Sequence, residues 1–425
     1  MKLKQLAIAL YLLTLFAGAA EFFIHDGDRV VFLGDSITEQ KLYTTYIETY
    51  TLTRHPDWQL TFRNTGWGGD TAWLRQRAHP DEKKLFAAPP DEQQAMIEQS
   101  VTAGLGRDVL PLKPTVVTIK FGMNDHAYQA FRPDIFAAYV ASQKELVKVL
   151  KQNGARVALL TPQPIEDKRA DPDQDVRNQS LRKFSDGLKV VAQENGAAFV
   201  DQFDPFRAIM MKAREGHPEA HIGGGDAVHP GPAGHTLMAW AILKQLGATP
   251  LVSSTTIKLG WWNRVSVAEN CKVTHVKMSD GTLSFDRLDR ALPMPIDPRA
   301  VAALKLAPVL DELDHYELKI SGLKAASYAV TIDGEAAGTV TAEELAAGWN
   351  MAVINSPITK QAQEVLQLVF QKNNVFFDRW RNVQLKAGRE TDLPKFDVQI
   401  AELEAKLNAA RQPKLRHFEL KPVGA

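Results

Sequence analysis

"VVFLGDSITEQ", residues 30–40, carries a short apolar run directly into a glycine, an acid and a hydroxyl residue. The apolar run is typical of a strand buried on both faces of a parallel sheet. In such a sheet the ligand crevice lies outside the carboxyl ends of the strands, so Ser36 is expected to face that crevice. Two interpretations of Ser36 stay open at this point, a nucleophile or an ordinary helix N-cap.

Outward from this stretch, β-rich runs alternate with amphipathic helical runs from Arg29 to about Leu246. Strand alternating with helix predicts an α/β fold, a parallel sheet covered by helices on both faces. The polar stretch from Arg75 to Arg107 interrupts the alternation, and we expect an inserted loop and helix on the rim. The predicted strands are RVVFLGD (29–35), LTFRNTG (60–66), TVVTIKFG (115–122), ARVALLTP (155–162) and AAFVDQF (197–203), and the predicted helices are 135–152, 178–194 and 233–246.

After about Pro250 the pattern changes to alternating apolar and polar residues, with a hairpin turn signal at Asp333-Gly334. Helical patterns follow at 359–381 and 395–411. The sequence therefore predicts a smaller C-terminal α+β module at 251–425, joined to a catalytic domain at 21–250 by a short polar segment near Val252 to Thr256.

The first twenty residues have the layout of a secretory signal peptide: Lys2 and Lys4, an apolar run, then small residues. We expect cleavage near Ala19 to Glu21, export to the periplasm or the extracellular space, and no stable membrane insertion afterwards. A membrane anchor is the rival interpretation, but the apolar run is short for a span of about 20 residues. Fifty basic residues balance fifty acidic ones, which argues against a nucleic-acid partner. The single cysteine, Cys271, excludes a disulfide within the chain and is expected to be a small buried or half-buried residue.

Three further stretches supply what a nucleophilic serine needs. Asp226 and His229, in "DAVHP", lie one turn apart, so the carboxylate can orient the histidine that accepts the serine proton. "NTGWGGD" after the second strand offers the N–H of Gly69, and "GMND" after the third strand offers the amide of Asn124. Such donors stabilise an oxyanion.

Together these four stretches resemble the SGNH (GDSL) hydrolase family. The resemblance assigns the nucleophile to Ser36, the base and acid to His229 and Asp226, and the oxyanion hole to Gly69 and Asn124. It implies a flavodoxin-like three-layer α/β/α domain and an ester hydrolase that needs no cofactor or metal. The setting of the motifs is most similar to secreted bacterial members that deacylate carbohydrates, so the expected partner is an acylated carbohydrate or another small ester.

Aromatic residues adjoin the predicted site, and their rings could bind a sugar face or serve packing: Trp67, Trp73, His126 and Tyr128. Trp261-Trp262 and "FFDRWR" (376–381) are expected in the core of the second module. His217 and His221 have helical metal-ligand spacing, but Pro218 favours a surface loop, and His235 is expected to be structural. No Walker loop, Rossmann fingerprint or G-x-S-x-G elbow is present. The alternatives to a carbohydrate esterase are a lysophospholipase or general lipid esterase, and a catalytically silent glycan-binding or scaffold protein. The sequence does not fix the oligomeric state.

Overall fold

A computed structural model describes residues 21–168 and 171–424. The half that carries the predicted catalytic residues, up to about residue 250, is called the catalytic half. It contains a five-stranded parallel sheet in the order β2-β1-β3-β4-β5. All five predicted strands are present, each shorter than its apolar run. The strands are β1 (Arg29–Gly34), β2 (Thr61–Asn64), β3 (Val116–Lys120), β4 (Arg156–Leu160) and β5 (Ala198–Val200).

Helices cover both faces of this sheet. Alternate residues of β1 point to opposite faces, so Val30 and Phe32 enter one core and Val31 and Leu33 enter the other. The helices are α1 (Ser36–Glu39), α2 (Leu42–Arg54), α3 (Arg75–Ala78), α4 (Glu82–Ala87), α5 (Pro90–Asp108), α6 (Pro133–Gln152), α7 (Val176–Asn195), α8 (Phe203–Arg214) and α9 (Pro232–Gln245). Helices α2 and α9 cover the face that carries Val30 and Phe32, here called the first face, and helices α5, α6 and α7 cover the other. The predicted α/β fold class is confirmed.

The polar stretch from Arg75 to Arg107 differs from the expectation of a rim insertion. It forms α3, α4 and most of α5, and α5 crosses back over the sheet between β2 and β3. Ile97, Val101 and Leu105 are fully buried in the core of that face. Their four-residue spacing places them on one side of the helix, and the polar residues between them mask this signal.

The C-terminal half is strand-rich, as predicted for the smaller module. Its two sheets, ordered β13-β10-β6-β7 and β12-β11-β14-β9-β8, pack around a shared apolar core. Asp333 and Gly334 both have positive φ at the predicted hairpin turn. The strands are β6 (Leu251–Lys258), β7 (Arg264–Glu269), β8 (Cys271–Ser279), β9 (Thr282–Asp289), β10 (His315–Ser321), β11 (Ser327–Ile332), β12 (Glu335–Thr341), β13 (Trp349–Asn350) and β14 (Arg416–Pro422), with helices α10 (Val309–Leu313) and α11 (Ala342–Ala347) between them.

The predicted joining segment from Val252 to Thr256 is an inner strand, which corrects that expectation. β6 pairs with β10 on one side and β7 on the other, and its polar side chains are satisfied inside the module. Ser253 Oγ donates to Asp289 at 2.6 Å, and Ser254 Oγ donates to Glu317 at 2.8 Å. The hydroxyl residues of this segment made its sequence look like a polar linker, but their hydrogen bonds to Asp289 and Glu317 allow it to form a buried strand.

Two long C-terminal helices leave this module and pack against the catalytic half. They are α12 (Pro357–Phe377), continued by a π-helical turn (Asp378–Gln384), and α13 (Leu393–Ala410). Lys372 of α12 forms a fully buried ion pair with Glu48 of α2, and Asn373 donates to the same carboxylate at 3.0 Å. The apolar core of the first sheet face extends into residues of α12, including Val365 and Val369. The division into domains at 250 stays a prediction, because part of the C-terminal half shares that core.

The predicted signal peptide, residues 1–20, lies outside the described residues. Among the helices of the described part, none is both long enough and apolar enough to cross a membrane.

Candidate active site

The turn after β1 places Ser36 at the carboxyl edge of the sheet. A Cβ on Gly34 would lie 2.2 Å from Thr38 Oγ1 and 2.7 Å from the Lys120 carbonyl oxygen, so only glycine fits where the strand meets the helix. Asp35 caps α1 by accepting the Ile37 N–H at 3.0 Å. Because Asp35 is the N-cap, the Ser36 hydroxyl is not used for capping and is available for chemistry.

His229 and Asp226 complete a hydrogen-bonded chain with Ser36. Ser36 Oγ lies 2.8 Å from His229 Nε2, and His229 Nδ1 lies 3.1 Å from Asp226 Oδ2. The other oxygen of Asp226 accepts the N–H groups of Val228 and His229, each at 2.7 Å. Partial burial acts to raise the pKa of Asp226, but these backbone donors and the His229 ring outweigh it and hold the pKa below its usual value. The carboxylate therefore stays ionised and can fix the histidine tautomer that accepts the Ser36 proton.

Two backbone N–H groups, those of Ser36 and Gly69, are candidate oxyanion donors. Ser36 begins α1, and Gly69 has φ of +75° in the loop after β2. Within the described part of the chain neither N–H donates to a protein acceptor. The Gly69 carbonyl is held by the Arg75 guanidinium, whose Nε lies 3.0 Å from it.

The Asn124 amide is held from both ends. Its Nδ2 donates to the Asp70 carbonyl at 2.9 Å, and its Oδ1 accepts from the Tyr128 hydroxyl at 3.1 Å. Since Nδ2 carries two hydrogens, one remains for a substrate oxygen. Asp125, the next residue, is buried, and its carboxylate accepts the N–H groups of Ala72 and Gly122, both at 2.8 Å. Asp125 thus ties the two donor loops together, and burial raises its pKa to about 7.

A buried polar layer below Ser36 is the part of the site that the sequence reasoning missed. Lys120, at the end of β3, is fully buried and donates to Gln163 Oε1 at 3.0 Å. Gln163 Nε2 in turn donates to the carbonyl of Val228 at 3.0 Å, next to His229. Burial lowers the pKa of Lys120, and the attraction of Asp35 opposes that change. The sequence signal for this layer was Lys120, a charged residue near the end of a run, TVVTIKFG, that predicts a buried strand.

Two of the four aromatic candidates are buried and cannot offer a ring face to a sugar. Trp73 is 2 % exposed, its Nε1 donates to Glu82 at 2.7 Å, and its ring meets Phe86 edge-on. His126 is also 2 % exposed, and burial lowers its pKa to about 4. Tyr128 is 40 % exposed beside Asn124 and keeps a free surface.

Trp67, the fourth candidate, packs against the C-terminal helices. Its ring meets Trp380 edge-on at 5.7 Å, and the Arg381 guanidinium lies 3.7 Å from the ring centroid. Trp380 is buried as expected, but against the catalytic half. Trp261 and Trp262 are 94 % and 80 % exposed on the turn between β6 and β7, so their expected place in the core is wrong.

The remaining singled-out residues have structural surroundings. His217 and His221 lie in a turn, and His221 pairs with Glu166 at 3.1 Å. His235 is buried, accepts the Tyr43 N–H at Nδ1 and contacts Gln40 through Nε2, which confirms a structural role. Cys271 is half-buried beside Thr255. Within residues 21–168 and 171–424, no cluster of three or more His, Cys, Asp or Glu side chains is arranged to hold a metal.

The chain is similar to known proteins of one hydrolase family. The profile of the GDSL-like Lipase/Acylhydrolase family matches residues 32–237. An acetylxylan esterase of Geobacillus stearothermophilus is 26% identical in an alignment of 238 residues that covers 53% of this chain and 96% of that protein.

Among solved structures, a gut microbial diltiazem-metabolizing enzyme has a TM-score of 0.77 at 23% identity, over 94% of this chain and 98% of that one. This likeness shows that the fold, including the C-terminal half, occurs in another protein. The acetylxylan esterase Axe2 of Geobacillus stearothermophilus has a TM-score of 0.40 at 24% identity, over 53% of this chain and 96% of its own. On the profile match, residues 32–237 form a domain of the GDSL-like lipase/acylhydrolase family, and the protein is a carboxylic ester hydrolase.

Proposed function

We propose that the protein removes short acyl groups, acetyl above all, from carbohydrates by covalent catalysis at Ser36. The observation that carries the proposal is the continuous chain from Ser36 Oγ to His229 and Asp226, at 2.8 Å and 3.1 Å. These distances are within the reach that proton transfer and histidine orientation need.

The reaction proceeds in two acyl transfers. His229 Nε2 takes the proton of Ser36 Oγ as that oxygen bonds to the ester carbonyl carbon, and the tetrahedral oxyanion accepts hydrogen bonds from the N–H groups of Ser36 and Gly69 and from Asn124 Nδ2. The C–O bond to the sugar breaks, and His229 passes its proton to the leaving alcohol. Water then attacks the carbonyl carbon of the acyl-serine while it gives a proton to His229, and His229 returns that proton to Ser36 Oγ as the bond between this oxygen and the acyl carbon breaks and the acid leaves. Each oxyanion donor lowers the barrier by about 2.7 to 4 kcal/mol.

The carbohydrate substrate is supported by two observations. The curated relative that matches about half of this chain is an acetylxylan esterase. Tyr128, which holds the Asn124 amide, exposes 40 % of its surface next to the donor that faces the carbonyl, so a sugar ring can pack on it while the acyl group enters the site.

Activity on two substrate classes tests this proposal. Acetate release from acetylated xylooligosaccharides should exceed release of decanoate or of phospholipid acyl chains in kcat/KM, since specificity is the ratio of those constants. Ser36→Ala and His229→Ala should each lower turnover by about 10⁶, and the double variant should add little, because these residues act as a unit. Faster hydrolysis of lipid esters than of every acetylated sugar would replace the carbohydrate function with the lipid esterase alternative. Full activity in folded Ser36→Ala would remove the serine mechanism.

Export completes the proposal. The basic, apolar and small-residue order of residues 1–20 favours a cleaved signal peptide. Mass spectrometry of the exported protein should find a chain that begins near Ala20 or Glu21. An intact Met1 would contradict cleavage.

A further inference from the structure

The C-terminal half reaches the oxyanion loop, residues 64–70, through two adjacent residues, Trp380 and Arg381. Arg381 lies in the π-helical turn that follows α12, and its guanidinium stacks on the Trp67 ring at 3.7 Å from the centroid. Its Nη1 lies 3.4 Å from Glu39 Oε1, and both side chains are largely buried, at 20% and 27% exposure. Such a pair is shielded from water and salt more than a surface pair.

Glu39 connects Arg381 to the oxyanion loop. It ends α1, the helix that begins with Ser36, and its Oε2 accepts the N–H of Gly68 at 2.8 Å. Gly68 immediately precedes the oxyanion donor, and a Cβ at its position would lie 3.9 Å from the Cβ of Ser36. The carboxylate that Arg381 holds therefore fixes the Trp67–Gly68 peptide, which directly precedes the peptide that carries the Gly69 N–H.

A second connection runs to the Asn124 donor. Trp380 Nε1 lies 3.5 Å from Asp108 Oδ1, and Asp108 pairs with the buried Arg77 at 2.8 Å. Arg77 also pairs with Asp70 at 2.8 Å, and the Asp70 carbonyl accepts Asn124 Nδ2. Both the Gly69 and the Asn124 donors are thus connected to adjacent residues of one C-terminal turn.

We propose that Arg381 is a positioning residue for ester hydrolysis, which sets the oxyanion loop through Glu39 and Trp67 and makes the C-terminal half part of the catalytic apparatus. The inference rests on the function proposed for Ser36. Arg381 does not touch the reacting atoms; it determines where the Gly69 N–H lies when the tetrahedral oxyanion forms. Because displacement of a donor by about 1 Å can cost up to about 10²-fold in rate, a modest shift of this loop is sufficient to reduce turnover.

The test compares Arg381→Ala with Arg379→Ala in the full chain. Arg379 lies in the same turn, but it pairs with Asp397 of α13 at 2.5 Å and is a matched control. With p-nitrophenyl acetate, Arg381→Ala should lower kcat about 10- to 100-fold and change KM little, since the lost interaction acts in the transition state. Arg379→Ala should keep the wild-type kcat. Low, non-denaturing guanidinium should restore part of kcat in Arg381→Ala and none in the control.

Two additional variants keep the inference testable if Arg381→Ala does not fold. Arg381→Lys retains a cation for Glu39 without the planar stack on Trp67, and Glu39→Gln retains an acceptor for Gly68 without the ion pair. Each should lower kcat below that of Arg379→Ala, at an unchanged melting temperature. The inference is overturned if these variants match the control in kcat, if kcat falls only with the folded fraction, or if KM rises while kcat is unchanged. A wild type without Ser36-dependent esterase activity would instead refute the proposed function itself.

Discussion

Removal of the Lys372 ammonium should destabilise the protein by leaving a carboxylate buried without its partner. The side chains of Lys372 and Glu48 are 1% and 3% exposed, and Lys372 also donates to the Phe62 carbonyl at 3.2 Å. Loss of one member of a buried ion pair costs about 3–5 kcal/mol. We therefore expect Lys372→Met to lower the free energy of unfolding by about that amount.

The matched control is Lys360→Met on the same helix. Lys360 pairs with Glu335 at 2.5 Å, but both side chains are more than half exposed, at 57% and 52%. An exposed pair contributes about 0–1 kcal/mol, so the same substitution should have little effect here. The double variant Glu48→Leu/Lys372→Met should recover most of the lost stability, because apolar replacement of a buried pair is often neutral.

The loss in Lys372→Met should also depend on pH. Burial already raises the pKa of Glu48, and Lys372 opposes that shift. Without Lys372, the pKa of Glu48 in the folded chain lies still further above its unfolded value of about 4.3. At pH values between these two pKa values, the folded chain binds more protons than the unfolded chain, so the variant loses stability as pH rises. Urea unfolding at several pH values, followed by tryptophan fluorescence, measures this. Equal effects of Lys372→Met and Lys360→Met would refute the docking of α12 on α2.

Three further predictions concern the site and its support. Asp226→Asn should lower kcat by up to about 10⁴-fold, because it favours the wrong tautomer of His229, as measured with p-nitrophenyl acetate. An unchanged kcat would show that Asp226 does not orient His229 for catalysis. Asn124→Ala should cost about 10²–10³ in kcat with little change in KM, and a pure KM effect would contradict an oxyanion role. Burial lowers the pKa of His235 to about 3, so its contribution to stability is present above about pH 6.5 and is lost as pH falls. As the pH falls from about 7 to about 5, the free energy of unfolding of the wild type should drop by about 2 kcal/mol more than that of His235→Asn. If urea unfolding gives the same pH dependence for both proteins, the buried imidazole is not held neutral.

The parallel sheet and the central motifs were predictable because their signals are local. A buried parallel strand must be apolar along its length, as in Val30 to Leu33, and the residues that follow must turn at the carboxyl edge. The four motifs follow strand ends or precede a helix, so topology alone brings Ser36, Gly69, Asn124 and His229 to one edge. Their proximity follows from that topology, whereas the contacts of the oxyanion loop with Arg381 depend on long-range packing.

The errors have a common physical origin in tertiary contacts that the local pattern does not encode. Trp73 adjoins a catalytic loop in sequence, but its ring turns into the core and finds Glu82 for its N–H. Ser253 and Ser254 look like a linker until Asp289 and Glu317 are placed beside them. Trp261, by contrast, lies on an exposed turn, where the apolar character of the ring does not determine burial.

The contribution of the C-terminal half to the site was beyond sequence reasoning for the same reason. Arg381 is separated from Glu39 by more than three hundred residues, and nothing in "FFDRWR" indicates which surface its guanidinium meets. The chain forms α12 and α13 between β13 and β14, so it leaves the strand-rich module at α12 and returns to it at β14. Only the packed structure shows that this excursion covers α2 and reaches the oxyanion loop.

Covalent labelling of the nucleophile tests the central claim most directly. A p-nitrophenyl phosphonate ester should phosphonylate wild-type protein stoichiometrically, release an equal amount of p-nitrophenol, and abolish acetate release in parallel. Peptide mass spectrometry should place the adduct on Ser36, and Ser36→Ala should remain unlabelled. An adduct on another residue that accounts for the lost activity, or full acetate release after complete modification of Ser36, would contradict the account.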